Sequence, residues 1–437
     1  VWDVIAQQVR RPRPVGRATF SEAMRAWFAG DFEGCLAICD RVRPTDVDML
    51  SQVALLRARA LLRLGRPQEA VTVVSGAFVA HGTLDASLTA QMLLGQGYVR
   101  LGEHERGLAI LERAERGAAG AHATIRSELA LNVALAYFGL RRLDDADAAL
   151  ERVAPESDIV HARSIEYRGW VAVARADFAR ASREFSQALH RLDACRHADR
   201  FLEATAIQGL VTLAAERLDR PGWLLAQARA ERLDWSAGGL ADPRHLIALA
   251  FSMLHEADGR THEALQWTRV AESAAFTEGR ALLALCRRAA ILRAAAEPFA
   301  HADLVAAIQR RFERLGNGPH PGDEHGLPLA LAEEVAYAGD VLGARALVRR
   351  HDALPPSSRM LIMDDPRMAA HRTFVEAVIA RAAREEHAAR ERYQRAFRYY
   401  RAIGYTRRAA LAAFQLGELT GQAYLLDYAR TALRVRG

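Results

Sequence analysis

The sequence predicts an all-α fold, an α-solenoid of antiparallel helix pairs, on three observations. One phrase recurs: "ARADFARASREFSQALHRL" at 174–192 is nearly repeated as "LGRPQEAVTVVSGAF" at 64–78 and "DGRTHEALQWTRVAE" at 258–272. The copies are evenly spaced, with turn residues at Gly30, Gly65, Gly102, Arg141, Ala176, Gly259, Gly339, Arg384 and Gly421, the first five separated by 35, 37, 39 and 35 residues. Five to six residues after each turn residue stands a small side chain: Cys35, Ala70, Gly107, Ala146, Ala181, Ala264, Ala344 and Ala389.

Seven residues further on, a small or apolar position often follows, as at Val42, Ala77, Ala114, Val153, Ala188, Ala271 and Ala396. A spacing of seven stays on one face of a helix, so these residues mark where the second helix of each pair closes on its neighbours. Large side chains would hold the helices apart. Upstream of each turn runs a first helix: "QMLLGQGYVRLG" with Gly95 and Tyr98, "LNVALAYFGL" with Ala134 and Tyr137, and "SIEYRGWVAVARA" with Gly169. Around 201–235 the phrase is diverged, "LDRPGWLLAQARA" setting Pro221 at the expected Ala position, and 276–315 shows two helix-like halves with little signature.

These first and second helices resemble the tetratricopeptide repeat, whose first helix bears Leu-Gly-x-x-Tyr and whose second bears spaced Ala, aromatic and Ala. The resemblance is best at 87–114, 161–188 and 244–271 and covers about two thirds of the chain. Most spacings exceed the family's period of about 34, as in long-helix variants of bacterial regulatory proteins. It implies a right-handed superhelix in which each pair buries its apolar face against the next and a concave groove is left open. The expected organisation is a basic arm at 1–16, well-matched repeats at 17–200, diverged repeats at 201–325, and C-terminal repeats with a basic face at 326–437.

The resemblance also implies which first-helix positions face the groove. They are Phe20, Met24 and Trp27 in the first repeat; Leu55, Arg59 and Arg63 in the second; Met92, Gln96 and Arg100 in the third; Leu131 and Phe138 in the fourth; and Arg163, Glu166 and Trp170 in the fifth. Aromatic, Met and Arg side chains anchor peptides by burial and bidentate pairing, so a protein or peptide is the expected partner. A carboxylate clamp of the kind that holds chaperone tails needs Lys, and this chain has none.

All 59 basic residues of the 437 are Arg. That excludes a phosphate-gripping Gly-Lys loop, a Schiff-base lysine and a Ser-Lys dyad within these residues. Hydrophobic residues make up 51% and charged residues 26%, ample for a buried core. No apolar run approaches the roughly 18 residues of a membrane helix, and "VWDVIAQQVRRPRPVG" lacks a signal-peptide centre, so a cytoplasmic protein is expected. Four scattered cysteines fit a reducing compartment; Cys35 and Cys39, four apart on a second helix, read as buried packing residues. No cofactor is expected.

Two other stretches bear on function. "GNGPHPGDEHG" at 316–326 crowds His320, Asp323, Glu324 and His325, donors that suit a divalent ion, although their spacing matches no established zinc motif and a solvated loop explains them equally well. Metal-dependent hydrolysis there is the enzymatic alternative to a non-catalytic scaffold. From Arg384 onward eleven Arg face five Asp and Glu, an excess of +6 equal to the net charge of the whole chain. Within "RERYQRAFRYYRAIGYTRR" at 390–408, Tyr393, Ala396, Phe397 and Tyr400 share a helical face directed at the core. The opposite stripe, Arg392, Arg395, Arg398 and Arg401 with Arg407 and Arg408 beyond, presents a basic face to an acidic protein or, as the second alternative, a nucleic-acid backbone.

Overall fold

A computed structural model describes residues 19–77, 83–155, 158–195, 199–236, 238–275, 277–315, 326–353 and 366–433. Among the described residues there are 22 α-helices, one short 3-10 turn and no strand. They come in hairpins. The first three are α1 (Phe20–Phe28) with α2 (Phe32–Cys39), α3 (Val47–Arg63) with α4 (Pro67–Ala77), and α5 (Leu84–Arg100) with α6 (His104–Arg116). Next come α7 (Ala123–Gly139) with α8 (Leu143–Glu151), α9 (Asp158–Ala174) with α10 (Phe178–Asp193), and α11 (Arg200–Arg217) with α12 (Arg220–Ala230). The 3-10 turn Gly238–Leu240 precedes α13 (Ala241–Ala257) with α14 (Thr261–Ala274), and α15 (Glu278–Ala294) with α16 (Pro298–Arg314). The last three pairs are α17 (Leu327–Tyr337) with α18 (Val341–Asp352), α19 (Pro366–Ala382) with α20 (Glu386–Ala402), and α21 (Thr406–Thr420) with α22 (Ala423–Leu433).

One device closes each hairpin. The residue after the first helix adopts left-handed backbone: Gly30, Gly65, Gly102, Arg141, Ala176, Leu218, Gly259, Ala296, Gly339, Arg384 and Gly421 all have φ between 57° and 92°. Where the turn is bonded this way, the next amide reaches the carbonyl five residues back, as from Asp31 to Ala26, Arg66 to Leu61 and Arg260 to His255, at 2.9, 2.9 and 2.8 Å. Orphan carbonyls at the helix end are thereby satisfied while the chain reverses. In several hairpins the same residue caps the next helix, as Asp31, Asp219 and Asp340 do for Gly34, Gly222 and Gly343.

The small residues after the turns are buried, which is what lets the two helices touch: Cys35, Ala70, Ala146, Ala181, Ala264, Ala344 and Ala389 are fully covered. A methyl on Gly169 would lie 2.6 Å from the Phe185 ring, and one on Gly107 would lie 2.7 Å from the Gly95 carbonyl. The hairpin pattern continues through both diverged stretches. There the small position is filled by Trp223 and His301, each five residues after its left-handed turn. The expectation for Pro221 is corrected accordingly: it lies in the first turn of α12 behind the Asp219 cap, where proline's missing amide costs nothing.

The chain divides into two compact units, one made of residues up to Arg175, Ala179–Ala206 and Leu233–Leu240, the other of Ala176–Phe178, Ile207–Arg232 and the residues from Ala241 on. In the first, the stack returns on its own beginning: Phe201 meets the Phe32 ring edge-on at 5.7 Å, and a methyl on Gly239 would stand 2.2 Å from the Gly30 carbonyl. The second behaves alike, with Phe178 stacked on Tyr405 at 4.9 Å and Arg407 reaching Glu216 at 3.5 Å. No helix among the described residues is long and apolar enough to cross a membrane.

Candidate functional site

Each unit holds a cavity on the inner faces of its own first helices. In the first unit it measures about 220 Å³ and is lined by α1, α3, α5, α7 and α9 with Leu111 from α6. Of the groove residues expected from sequence, Trp27, Arg59, Arg63, Met92, Gln96, Arg100, Leu131 and Arg163 line it, joined by Glu128, Asn132 and Tyr167. The others lie elsewhere. Met24 is in the core, Phe20 and Leu55 pack against that same core, and Phe138 packs against the neighbouring one. Glu166 is 4% exposed and accepts a 2.6 Å hydrogen bond from Trp170 Nε1, while the Trp170 ring packs edge-on against Phe185 at 5.0 Å. These side chains miss the cavity because a first helix also contacts its own partner and the next hairpin, and an aromatic there fills space between helices.

The cavity's charge is unbalanced. Arg59 donates to Glu128 at 2.8 Å and Arg163 to Asp199 at 2.7 Å. Arg63 instead lies over the Phe201 ring at 4.3 Å and the Trp27 ring at 5.8 Å. Burial, together with the positive charge of Arg163, pulls the Arg63 pKa down to about 10. Among the described residues, neither Arg63 nor Arg100 has an ion pair. Asn132 holds Gln96 through a side-chain hydrogen bond and donates to the Glu128 carbonyl at 2.7 Å, fixing the polar floor.

The same construction recurs in the second unit, where a cavity of about 400 Å³ is lined mainly by α13, α15, α17 and α21. Sequence reasoning missed it. Glu334 accepts Arg293 through both oxygens at 3.1 and 3.0 Å and meets His301 Nε2 at 2.9 Å. Glu333 receives Arg408 at 3.3 Å and contacts His371 Nε2 at 3.1 Å. Arg287 pairs with Glu256 at 2.5 Å. Burial lowers the pKa of His371, with Arg408 adding to the effect, so its ring is held toward the neutral form.

The two cavities share one helical register. Counting back from the left-handed residue, lining side chains recur at two or three, six, nine or ten, and thirteen positions: Arg63, Gln96, Asn132 and Arg163 in one unit, Arg293, Met253, Arg287 and Leu283 in the other. Left-handed turns closing eleven hairpins, a buried small residue five positions after eight of them, and cavities lined mainly by first helices define the repeat. In fold, the chain is a TPR-like α-solenoid. No protein-family model matches it, and no curated protein does either. Among solved structures, it is similar to the APC/C hetero-tetramer Cut9–Hcn1, 12% identical over 94% of this chain and 84% of that chain, TM-score 0.30. It is similar to a tetratricopeptide repeat protein from Parabacteroides merdae, 14% identical over 60% of this chain and 93% of that chain, TM-score 0.37. A third is the Rap protein complexed with competence and sporulation factor, 13% identical over 81% of this chain and 98% of that chain, TM-score 0.49.

The basic stripe is shorter than the sequence suggests. Arg395, Arg398 and Arg401 are exposed, Arg395 pairing with Glu391 at 2.9 Å, and Arg392 reaches Glu376 at 3.9 Å. Arg407 and Arg408 do not belong to this face: they open α21, whose inner side lines the second cavity, and Arg407 is 5% exposed. Tyr393, Ala396 and Tyr400 are buried as their spacing requires, with Phe397 half-buried against Tyr428. Cys35 and Cys39 are buried free thiols. His320, Asp323, Glu324 and His325, like the basic arm, lie outside the described residues.

Proposed function

We propose that the chain is a non-catalytic scaffold that binds a protein or peptide in the cavity of the first unit, as the interaction or signal-sensing region of a bacterial regulatory protein. The observation behind this reading is the surplus of guanidinium groups there: among the described residues Arg63 and Arg100 make no ion pair, and they stand beside the apolar surfaces of Trp27, Met92 and Leu131. An acidic side chain of a bound peptide completes that pairing, and its apolar neighbours bury against the aromatic and Met surfaces. Long repeat spacing supports the regulatory context, and the arginine-only basic composition the bacterial one.

The test is a pull-down with the intact chain beside an Arg63→Glu, Arg100→Glu variant, followed by titration of the captured partner's acidic segment as a synthetic peptide. The double reversal is expected to weaken peptide binding at least tenfold while the helical circular-dichroism signal is kept. A partner held equally by both proteins removes the groove from its recognition.

A further inference from the structure

The cavity of the second unit is built for a different kind of ligand. Four guanidinium groups line it: Arg293, gripped by Glu334, and Arg287, Arg407 and Arg408, which face it together. Each carries five N–H donors in a fixed plane, and those of Arg407 and Arg408 are little used. Arg287 donates to Ser252 Oγ at 3.0 Å, to the Ser252 carbonyl at 3.2 Å and to Glu256 at 2.5 Å. Arg408 gives one bond to Glu333, and Arg407 makes a single long contact with Glu216. Arg407 is 95% buried, yet its Nε has no partner among the described residues.

Two of the carboxylates inside are committed. Glu334 is occupied by Arg293 and His301, and Glu333 by Arg408 and His371. The wall therefore has a spare donor at Arg407 Nε, while Glu216 Oε2 beside it is likewise a buried acceptor without a partner among the described residues, and the repulsion of Arg407 and Arg408 adds to burial in lowering the Arg287 pKa. A buried donor left without a partner is costly, and a ligand acceptor relieves it. The charge is nonetheless close to balance, since Glu216, Glu256, Glu333 and Glu334 stand against Arg287, Arg293, Arg407 and Arg408. A single negative charge suits this wall, and a phosphate dianion would meet the nearby carboxylates. The remaining wall is apolar, formed by Leu249, Met253, Leu283 and Leu411. A volume of about 400 Å³ lies in the range of small-molecule sites.

We propose that this cavity binds a small amphipathic carboxylic acid, its carboxylate seated among Arg287, Arg407 and Arg408 and its apolar body against Leu249, Met253, Leu283 and Leu411. The site is separate from the peptide groove and goes beyond that reading: a diffusible acid would be a second input to the same chain.

Isothermal titration calorimetry of the full chain with octanoate, acetate, octanol, octylamine and inorganic phosphate tests it. Octanoate is expected to bind saturably at one site, at least tenfold tighter than acetate or phosphate, with no saturable binding of the alcohol or amine. Arg407→Met removes the donor, and Leu283→Trp plugs the apolar half without touching charge; each is expected to weaken octanoate at least tenfold. Arg63→Glu in the other unit is expected to leave octanoate binding unchanged. Octanoate no tighter than acetate, phosphate tighter than octanoate, or binding that survives both cavity substitutions in folded protein overturns the proposal.

Discussion

Gly95 and Leu111 meet with no room between them: a methyl on Gly95 would stand 2.6 Å from Leu111 Cγ and 3.1 Å from the carbonyl of Gly107. This is the crossing point of α5 and α6, where the two backbones come nearest. Gly95→Ala is expected to destabilise by roughly 1–3 kcal/mol as Leu111 is forced off its rotamer. Gly107→Ala should cost more, because its methyl meets the Gly95 carbonyl at 2.7 Å, and backbone cannot swing aside as a side chain can. Urea midpoints of the two variants check the order; equal or negligible shifts would mean the hairpin is looser than drawn.

The left-handed turns divide into two chemical classes. Gly65 has φ of 71° with nothing within 4 Å of a methyl, so Gly65→Ala isolates the backbone cost, about 1–2 kcal/mol for an L-residue in this region. Leu218 already bears that cost at φ of 57°. Leu218→Gly is expected to stabilise by up to about 1 kcal/mol once the greater unfolded-state freedom of glycine is subtracted. Opposite shifts in melting temperature are the expected result, and a destabilised Leu218→Gly would show that its side chain packs more than its backbone strains.

This asymmetry explains what could be read from the sequence. Gly65, Gly102 and Gly259 announce their turns because glycine is the residue that adopts positive φ freely. Leu218 and Ala296 do so silently, since nothing about leucine suggests a left-handed residue. Trp223 and His301 then conceal the small position, one burying a large ring and the other reaching Glu334. Without those two turns the register of α11 and α15 was unanchored, and with it the inward side chains Arg287 and Arg293. Once Ala296 is placed, they fall nine and three residues before it, the register that puts Asn132, nine before Arg141, and Val99, three before Gly102, against the first cavity. In the first unit the turns were visible, so Arg59, Arg63 and Gln96 could be assigned; Glu166, one residue before the lining Tyr167, shows that a shift of a single position around the helix exchanges lining for packing.

Burial separates two ion pairs that look alike in sequence. Arg293 grips the nearly inaccessible Glu334 through two hydrogen bonds and covers the Tyr337 ring at 3.8 Å. Arg293→Met is expected to cost about 3–5 kcal/mol because it strands a buried carboxylate. Arg66 and Glu69 make a still shorter pair, 2.6 Å, on the open surface. Arg66→Met should shift stability by less than about 1 kcal/mol. Guanidinium-chloride midpoints of the two variants measure the contrast, and similar shifts would deny the buried pair its special standing.

Glu166 gives the first unit a pH dependence of definite sign. Burial pushes its carboxyl from 4.5 up to about 7, even though Trp170 donates to it and Arg163 and Arg63 attract its negative form. Between those two values the folded chain holds a proton that the unfolded chain has released, so stability from this group is full below about pH 4.5 and falls as pH rises toward 7. The whole effect is at most roughly 3 kcal/mol. Glu166→Gln has no proton to lose and keeps an acceptor for Trp170 Nε1. The variant is expected to gain on the parent between about pH 5 and pH 8, most of the change arising before neutrality. Chemical denaturation of both proteins across that range checks it; a difference that stays constant with pH would place the titration of Glu166 outside the window.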